Sequence, residues 1–319
     1  MGYLEEKTQE LLNYCPPLTR RADFDAFWTR TLEQTAQVAL RPERRLADNP
    51  SDFMKVYDIA YNGFDETRIH GWLILPCFAG SRPLPCVVQY HGFGGSRGIP
   101  EDHLSYVMLG CAVLAVDCRD QGGETGNSAR YSNGTIANVV SKGLLDKDEF
   151  YYRAVYMDCV KAIDFACAQT EIDPERIIVS GGSQGGALCS AVSALDGRVK
   201  LALADVPSNS NLERRVEGAH GSYACATEYI RRYPDRMEQV YETLSYFDTM
   251  NLADRIRAAT FASVGLKDEV CPALCYAATF NRITAPKVLK VYPFNGHEGG
   301  QSLHRQRKLR FLKESGLLG

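Results

Sequence analysis

The sequence predicts an α/β fold with a mostly parallel central sheet and helices on both of its faces. Short, continuous apolar runs recur along most of the chain, and strands of this kind are buried on both faces, as in a parallel sheet. Helical stretches separate most of these runs, which is typical of right-handed crossover connections. The chain has 319 residues, 45% of them hydrophobic, with no repeat or linker. We therefore expect one domain, residues 1–319, around a large core.

The N-terminal part of the chain is predicted to be a helical extension followed by two antiparallel strands. Residues 1–50 contain helical patterns at 4–12 and 24–36, and Asp23 is a start signal for the second. The runs KVYDIAYNG (55–63) and TRIHGWLILP (67–76) then alternate apolar and polar residues around a short turn. This alternation favours a hairpin of two strands.

The remaining strands are predicted from apolar runs, with helices between most of them. A long helix is indicated before the third of these strands, RIIVSG (176–181), by apolar residues at three- and four-residue spacing over 152–167. Segments 118–149 and 207–248 are longer than usual connections, and such loops tend to carry a site or an interface. The predicted strands are CVVQY (86–90), CAVLAVD (111–117), RIIVSG (176–181), LALADV (201–206), TFASVGL (260–266) and KVLKVYP (287–293).

Composition excludes several classes of function. The net charge of −3 gives no reason to expect nucleic acid or an anionic membrane as partner. No apolar run approaches the ~20 residues of a membrane span, and the N-terminus lacks the apolar region of a secretory signal. The eleven cysteines are odd in number and form no CxxC pair, so we expect reduced thiols in a cytoplasmic protein. Cys271 and Cys275 stand one helical turn apart but have no histidine or second cysteine pair nearby in sequence, so no metal site or cofactor is predicted.

The stretch IIVSGGSQGGALCSA (177–191) places one serine among four glycines between a strand and a helix. Ser183 within Gly181-Gly182-Ser183-Gln184-Gly185 fits G-x-S-x-G, the nucleophile elbow, in which a sharp turn projects the serine hydroxyl from the sheet edge. Side chains on the neighbouring glycines would collide in such a turn. The alternative is a glycine-rich turn with a harmless serine.

A serine nucleophile needs a base and a group that orients the base, in the chain order Ser, Asp or Glu, His. Asp268 follows the strand TFASVGL and His297 follows KVLKVYP, both at strand ends where open α/β sheets place their sites. Glu269 and Asp205 remain rival acids.

The oxyanion hole is expected from the N–H of Gln184 and an N–H of the loop that begins at Tyr90, His91 and Gly92. A structural hydrogen bond is the favoured role for His91.

With these motifs, the chain resembles the acetyl xylan esterase and cephalosporin C deacetylase family, the family 7 carbohydrate esterases of the α/β-hydrolase fold. The resemblance implies Ser183, Asp268 and His297 as triad and the N–H groups of Tyr90 and Gln184 as oxyanion hole. It also implies removal of acetyl groups from sugars and small acetate esters, no cofactor, and a hexamer. The segments that carry it are CPPLTRRADFDAFW (15–28), QYHGFGG (89–95), DCRDQGGETG (117–126), GGSQGG (181–186), LSYFD (244–248), SVGLKDEVCP (263–272) and YPFNGHEGG (292–300).

Two departures from the family pattern affect the expected site. The R-G-Q motif reads Arg119-Asp120-Gln121, and aspartate is among the less costly replacements if the glycine needs positive φ. The segment after DVP, apolar in typical members, is SNSNLERR (208–215). We expect Tyr90, Pro207 and Val270 to border the substrate, and Arg119, Gln121 and Glu298 to support the site structurally.

Two alternatives to an acetylesterase stay open. One is a different serine hydrolase of the same fold, such as a general carboxylesterase or a prolyl-oligopeptidase-like peptidase. The other is a hydrolase-fold protein that binds a ligand without chemistry, against which the presence of Ser183, Asp268 and His297 argues.

Overall fold

The computed structural model describes residues 2–80 and 82–318 and contains a nine-stranded sheet. The sheet order is β1-β2-β3-β5-β4-β6-β7-β8-β9. The neighbouring pairs β1–β2, β2–β3 and β3–β5 are antiparallel, and all other neighbouring pairs are parallel. The strands are β1 (Glu43–Leu46), β2 (Met54–Asn62), β3 (Arg68–Pro76), β4 (Leu84–Tyr90), β5 (Ala112–Val116), β6 (Ile172–Gly182), β7 (Val199–Asp205), β8 (Ala259–Gly265) and β9 (Lys287–Tyr292).

Helices cover both faces of the sheet because successive strand residues point to opposite sides. Val88 and Val179 join one apolar cluster, whereas their neighbours Val87 and Ile178 join another. The helices are α1 (Tyr3–Asn13), α2 (Phe24–Gln37), α3 (Leu104–Val107), α4 (Tyr151–Cys167), α5 (Gln184–Leu195), α6 (Leu212–Glu217), α7 (Ala224–Arg232), α8 (Met237–Ser245), α9 (Thr249–Leu252), α10 (Ala273–Phe280) and α11 (Gln301–Glu314). The first cluster contains residues of α2, α4, α5 and α10, and the second contains residues of α3 and α11.

The α/β class, the antiparallel pair and the parallel strands predicted from the sequence are confirmed. The strand β1 (Glu43–Leu46) was not predicted, because its sequence ERRL has no apolar alternation. Asp23 does precede α2, but its side chain bonds to Lys147 and Tyr246 instead of capping the helix. Segment 118–149 is mostly irregular, whereas segment 207–248 is largely helical and contains α6 to α8.

None of the helices in the described part of the chain combines the length and the hydropathy that crossing a bilayer requires.

Candidate active site

Ser183 lies in a strained turn between β6 and α5. Its backbone has φ +58° and ψ −117°, a conformation that costs about 1–3 kcal/mol and persists only where the surroundings enforce it. The Ser183 N–H donates to the Asp205 carbonyl at 2.9 Å, and the Ser183 carbonyl accepts from the Ser208 N–H at 3.0 Å. These two bonds fix the turn, which holds the serine hydroxyl at the carboxyl edge of the sheet.

The glycines around Ser183 are required by close backbone contacts. A Cβ on Gly185 would stand 2.1 Å from the Tyr90 carbonyl oxygen, and one on Gly181 would stand 2.6 Å from the same atom. On Gly182 the nearest atoms would be 3.9 Å away, in ordinary contact. The turn therefore excludes side chains at Gly181 and Gly185 but not at Gly182.

Asp268 and His297 lie on the loops after β8 and β9 and contact each other directly. The His297 Nδ1 atom lies 2.8 Å from Asp268 Oδ2. The other carboxylate oxygen accepts the N–H groups of Val270 at 2.9 Å and Cys271 at 2.7 Å. The hydrogen bond to Asp268, and next a contact with the Cys271 thiol, raises the pKa of His297 above its usual value. The carboxylate thus fixes the ring so that Nε2 is left for a proton transfer.

A side chain that sequence reasoning did not assign to the site lies near the serine hydroxyl. Ser183 Oγ lies 3.9 Å from Cys271 Sγ. Cys271 directly follows Val270, which we expected to border the substrate, so its position in the loop was the available signal. The thiol is 3% exposed and forms part of the wall of the site.

The two rival acids have other surroundings. Asp205 bonds to His304 Nε2 at 2.7 Å and to Lys308. Glu269 has an exposed side chain, and its carbonyl oxygen lies 2.9 Å from His220 Nδ1. The acid that contacts His297 is Asp268.

A polar cavity of about 530 Å³ lies beside the same strand ends, toward α3 and α11. Its lining includes Asp205, His304 and Lys308, but neither Ser183 nor His297. Within this cavity Asp205 bonds to both His304 and Lys308, and His304 Nδ1 also contacts the Tyr292 hydroxyl at 3.0 Å. The cavity therefore adjoins the serine turn at Gly181 and Gly182 but is not lined by Ser183 itself.

The loop after β4 supplies backbone rather than side chains to the site. The Tyr90 ring is 1% exposed, and its hydroxyl donates to the Cys159 carbonyl in α4 at 3.1 Å. Only the backbone of Tyr90 can therefore face a ligand. Gln184 is the first residue of α5, where the N–H groups of a helix have no partner within it.

Gln121 ties this loop to the serine turn. Its Nε2 donates to Gln184 Oε1 at 2.9 Å and its Oε1 accepts from the Gly94 N–H at 2.8 Å. The Tyr152 hydroxyl also donates to Gln184 Oε1, at 3.0 Å. A hydrogen-bonded chain of amides therefore connects the glycine loop after β4 with the first residue of α5.

His91 is a structural residue of the same loop. Its Nε2 accepts from the Cys118 N–H at 2.8 Å, so its Nδ1 carries the proton and donates to the Gly92 carbonyl at 2.7 Å. Burial lowers the pKa of His91, so the neutral ring bridges the loops after β4 and β5.

Arg119 is fully buried. It donates to both carboxylate oxygens of Asp158 at 2.7 and 2.8 Å and to Asp65 at 3.0 Å. The next residue, Asp120, has φ +60° and forms an ion pair with Lys142. Glu298 accepts from the Asn295 side chain at 2.9 Å, on the loop that carries His297.

The polar segment after β7 is buried, and its side chains form hydrogen bonds with other parts of the protein. The Ser210 hydroxyl donates to the Cys275 carbonyl at 2.7 Å, and the Asn209 side chain donates to the Tyr156 hydroxyl at 3.0 Å. Pro207 is buried, and a Cβ on Gly186 would stand 3.1 Å from its Cα atom. Val270 is 40% exposed, so it is the predicted substrate-contacting side chain that solvent reaches most freely.

The two long segments meet near the acid loop. His220 contacts the Glu269 carbonyl as described, and the Asn138 side chain donates to the Ser222 carbonyl at 3.0 Å. Segment 207–248 therefore lies beside Asp268, and segment 118–149 packs on it.

One group of side chains in the described residues could hold a metal ion. The ligand atoms of Asp58, His70 and Glu124 lie within 4.8 Å of one another. Arg97 already pairs with Asp58 at 3.1 Å and with Glu124 at 2.9 Å. The arginine balances these carboxylates, and the group is remote from Ser183 in the fold.

Comparisons with known proteins agree on one family. The acetyl xylan esterase family model matches residues 1–315. The structure is similar to an acetyl xylan esterase from Paenibacillus sp. R4, with 40% identity, a TM-score of 0.93, and coverage of 98% of this chain and 99% of that one. It is also similar to acetyl xylan esterase 1 from Thermoanaerobacterium sp. JW/SL YS485, with 31% identity, a TM-score of 0.89, and coverage of 97% and 98%.

A curated relative, the acetyl esterase Axe7A from Xylanibacter ruminicola, is 30% identical over 287 residues, which are 86% of this chain. The match spans 63% of the length of that relative. With the nine-stranded sheet and the serine turn, these likenesses identify an α/β-hydrolase fold. The chain belongs to the acetyl xylan esterase family, a family of carboxylic ester hydrolases.

Proposed function

We propose that this protein is a serine esterase that removes acetyl groups from acetylated sugars, such as xylo-oligosaccharides, and from small acetate esters including cephalosporin C. The observation that carries the proposal is a serine in a strained elbow whose hydroxyl lies 3.9 Å from Cys271 Sγ, in the loop where the Cys271 N–H donates to the carboxylate that contacts His297. The names of the similar proteins support the acetyl specificity. No metal or other cofactor is required by this chemistry.

In the proposed reaction, Ser183, His297 and Asp268 act as a triad. His297 takes the proton of the Ser183 hydroxyl, whose oxygen attacks the acetyl carbonyl carbon. The N–H groups of Tyr90 and Gln184 hold the oxyanion. His297 then protonates the departing sugar alcohol, and water repeats the cycle on the acetyl-enzyme.

Replacing Ser183 tests the assignment of the nucleophile. Ser183→Ala is expected to lower kcat by a factor of roughly 10⁶, because the nucleophile of a serine triad carries about this much. Ser190→Ala is a matched control in the same helix, since its hydroxyl bonds to the Gly186 carbonyl within α5. Activity on p-nitrophenyl acetate above a few per cent in Ser183→Ala, in protein with an unchanged circular dichroism spectrum, would exclude Ser183 as nucleophile.

The acyl preference separates the acetylesterase from a general carboxylesterase. Val270, Cys271 and Pro272 border the acyl side, and the buried bonds of Ser210 and Asn209 keep the polar segment from opening a longer pocket there. Overpacking by a longer acyl chain costs about 1–3 kcal/mol, so acetyl esters should exceed butyryl esters about 5- to 150-fold in kcat/KM. The measurement is a series of p-nitrophenyl esters, with acetylated xylan, cephalosporin C and a peptide amide as further substrates. A maximum at butyrate or longer would favour the general carboxylesterase.

We also propose a homo-oligomer, a hexamer by resemblance, in a reducing, cytoplasmic environment. Large apolar side chains on the surface support association, with Phe294 80% and Phe53 71% exposed. The eleven free thiols support the reducing environment. Light scattering that gives the mass of a monomer at micromolar concentration would contradict the oligomer.

A further inference from the structure

A buried arginine beside the site has unused hydrogen-bond donors. Arg215 in α6 is 1% exposed, and its Nε and Nη1 atoms have no partner among residues 2–80 and 82–318. Its Nη2 donates weakly to the His220 carbonyl at 3.4 Å, and its guanidinium lies 5.4 Å from the centre of the Tyr223 ring. A buried cation is costly unless an anion compensates it. The arrangement therefore calls for an anion next to Arg215.

The neighbour that can supply this anion is the thiol of Cys271. Burial alone would raise its pKa, but the charge of Arg215 and the contact with His297 together lower the pKa of Cys271. The pKa of Cys275, four residues further on in α10 and also near Arg215, is instead raised by burial to about 11. Because the thiolate is the reactive form of cysteine, Cys271 differs in reactivity from Cys275.

The thiol also occupies a position from which a modification would reach the serine. Its sulfur lies 3.9 Å from Ser183 Oγ, and its N–H donates to Asp268. Cys271 is 3% exposed, so only a small oxidant is expected to reach the sulfur. An oxygen atom added to that sulfur would stand where a substrate carbonyl must approach.

We propose that Cys271 is a peroxide-sensitive thiol that switches the esterase off, and that Arg215 holds the anion formed there. The thiolate sulfur attacks one oxygen of hydrogen peroxide, so that a sulfur–oxygen bond forms and the oxygen–oxygen bond breaks. The sulfur loses two electrons, and the departing hydroxide takes the proton given up by the thiol and leaves as water. A small thiol reverses the change by displacing water to give a mixed disulfide, from which a second thiol releases Cys271. The predicted inhibition of the esterase depends on the proposed role of Ser183, whereas the predicted oxidation of the thiol depends only on Cys271 and Arg215.

The first experiment measures oxidation without reference to activity. The full chain is treated with hydrogen peroxide and dimedone, and the labelled fraction of each cysteine is followed by peptide mass spectrometry. Cys271 is expected to be labelled faster than the exposed Cys15 and Cys77, because Arg215 and His297 lower its pKa and the thiolate is the reactive form of cysteine. Arg215→Met should slow the labelling of Cys271 until it is no faster than that of Cys15 and Cys77, whereas Arg214→Met, on the exposed side of α6, should not. Faster labelling of Cys15 and Cys77, or no effect of Arg215→Met, would overturn the proposal.

The second experiment compares activity before and after peroxide for each protein. The wild type should lose most of its activity and regain it with dithiothreitol, and Cys271→Ser should keep its own starting activity after the same treatment. If Cys271 is oxidised while activity persists, inhibition is refuted and the role of Ser183 must be reconsidered, but the thiol chemistry stands. If Arg215→Met does not fold, wild-type protein carrying a fluorophosphonate adduct on Ser183 replaces it. The adduct should protect Cys271, and an unchanged oxidation rate would refute the shared site.

Discussion

Substituting alanine along the serine turn should affect neighbouring glycines very unequally. Gly185→Ala would place a methyl group 2.1 Å from the Tyr90 carbonyl oxygen and 2.9 Å from the Tyr90 carbonyl carbon, whereas ordinary contact begins at 3.4 Å. Relieving the first contact needs a movement of about 1.3 Å, the difference between 3.4 and 2.1 Å. The obstacle is backbone of β4, which cannot rotate away as a side chain could. Helix α5 must therefore move relative to the strand that precedes the proposed oxyanion loop.

The expected result is a loss of both stability and activity. Overpacking of this kind costs about 1–3 kcal/mol and occasionally more. A misplacement of about 1 Å in catalytic geometry costs on the order of 10² in rate. We therefore expect Gly185→Ala to lower the free energy of unfolding by at least 1–3 kcal/mol and kcat/KM by at least ~100-fold.

Gly182→Ala is the matched control in the same turn, because its Cβ would meet nothing closer than 3.9 Å. It should retain stability within about 0.5 kcal/mol, as for substitutions without a specific mechanism. Urea unfolding monitored by fluorescence, with p-nitrophenyl acetate hydrolysis at several concentrations, measures both quantities. Equal effects of the two substitutions, or a Gly185→Ala variant close to wild type, would refute the contact argument.

Two further predictions concern titration and the buried ion pair. Asp268 and Cys271 raise the pKa of His297, so its neutral form is lost as the pH falls through a value above the usual ~6.5. We therefore expect kcat/KM to decrease in that range with a slope of one proton. A pH profile that stays flat down to about pH 5 would count against a histidine base. Arg119→Met would leave Asp158, which is 4% exposed, without its ionic partner and should lower the free energy of unfolding by about 3–5 kcal/mol. The double variant Arg119→Met with Asp158→Leu should recover part of this loss, as measured by urea unfolding.

The fold could be predicted largely because buried parallel strands have a plain signature in sequence. A continuous apolar run such as that of β5 has few structural interpretations other than a buried strand. Because successive strands are parallel, the residues that follow them then lie at the same edge of the sheet. The strand β1 escaped prediction because edge strands need no apolar alternation. Its Arg44 instead stacks 3.7 Å from the centre of the Tyr57 ring and pairs with Glu171 at 2.7 Å, contacts that only tertiary structure supplies.

The candidate site was predictable to the extent that it obeys local geometry. The collisions at Gly181 and Gly185 are those expected of a sharp turn, and the contact of Asp268 with His297 follows the expected chain order. Burial of Asn209 could not be predicted from sequence, because it depends on how segment 207–248 folds back over the sheet. The proximity of Cys271 to Ser183 had one available signal, its position next to Val270 in the loop that carries Asp268. A polar segment is predicted to be solvent-exposed unless its hydrogen-bond partners in the folded protein are known.

The composition of the outermost strands limits how copies of this protein can associate. Strand β1 at one edge carries Glu43, Arg44 and Arg45, and β9 at the other begins with Lys287 and contains Lys290. Charged side chains on edge strands oppose the addition of another strand, a common protection against aggregation. A sheet continuing from one copy into the next is therefore disfavoured, and assembly should instead proceed through helices and loops, leaving each nine-stranded sheet closed to growth.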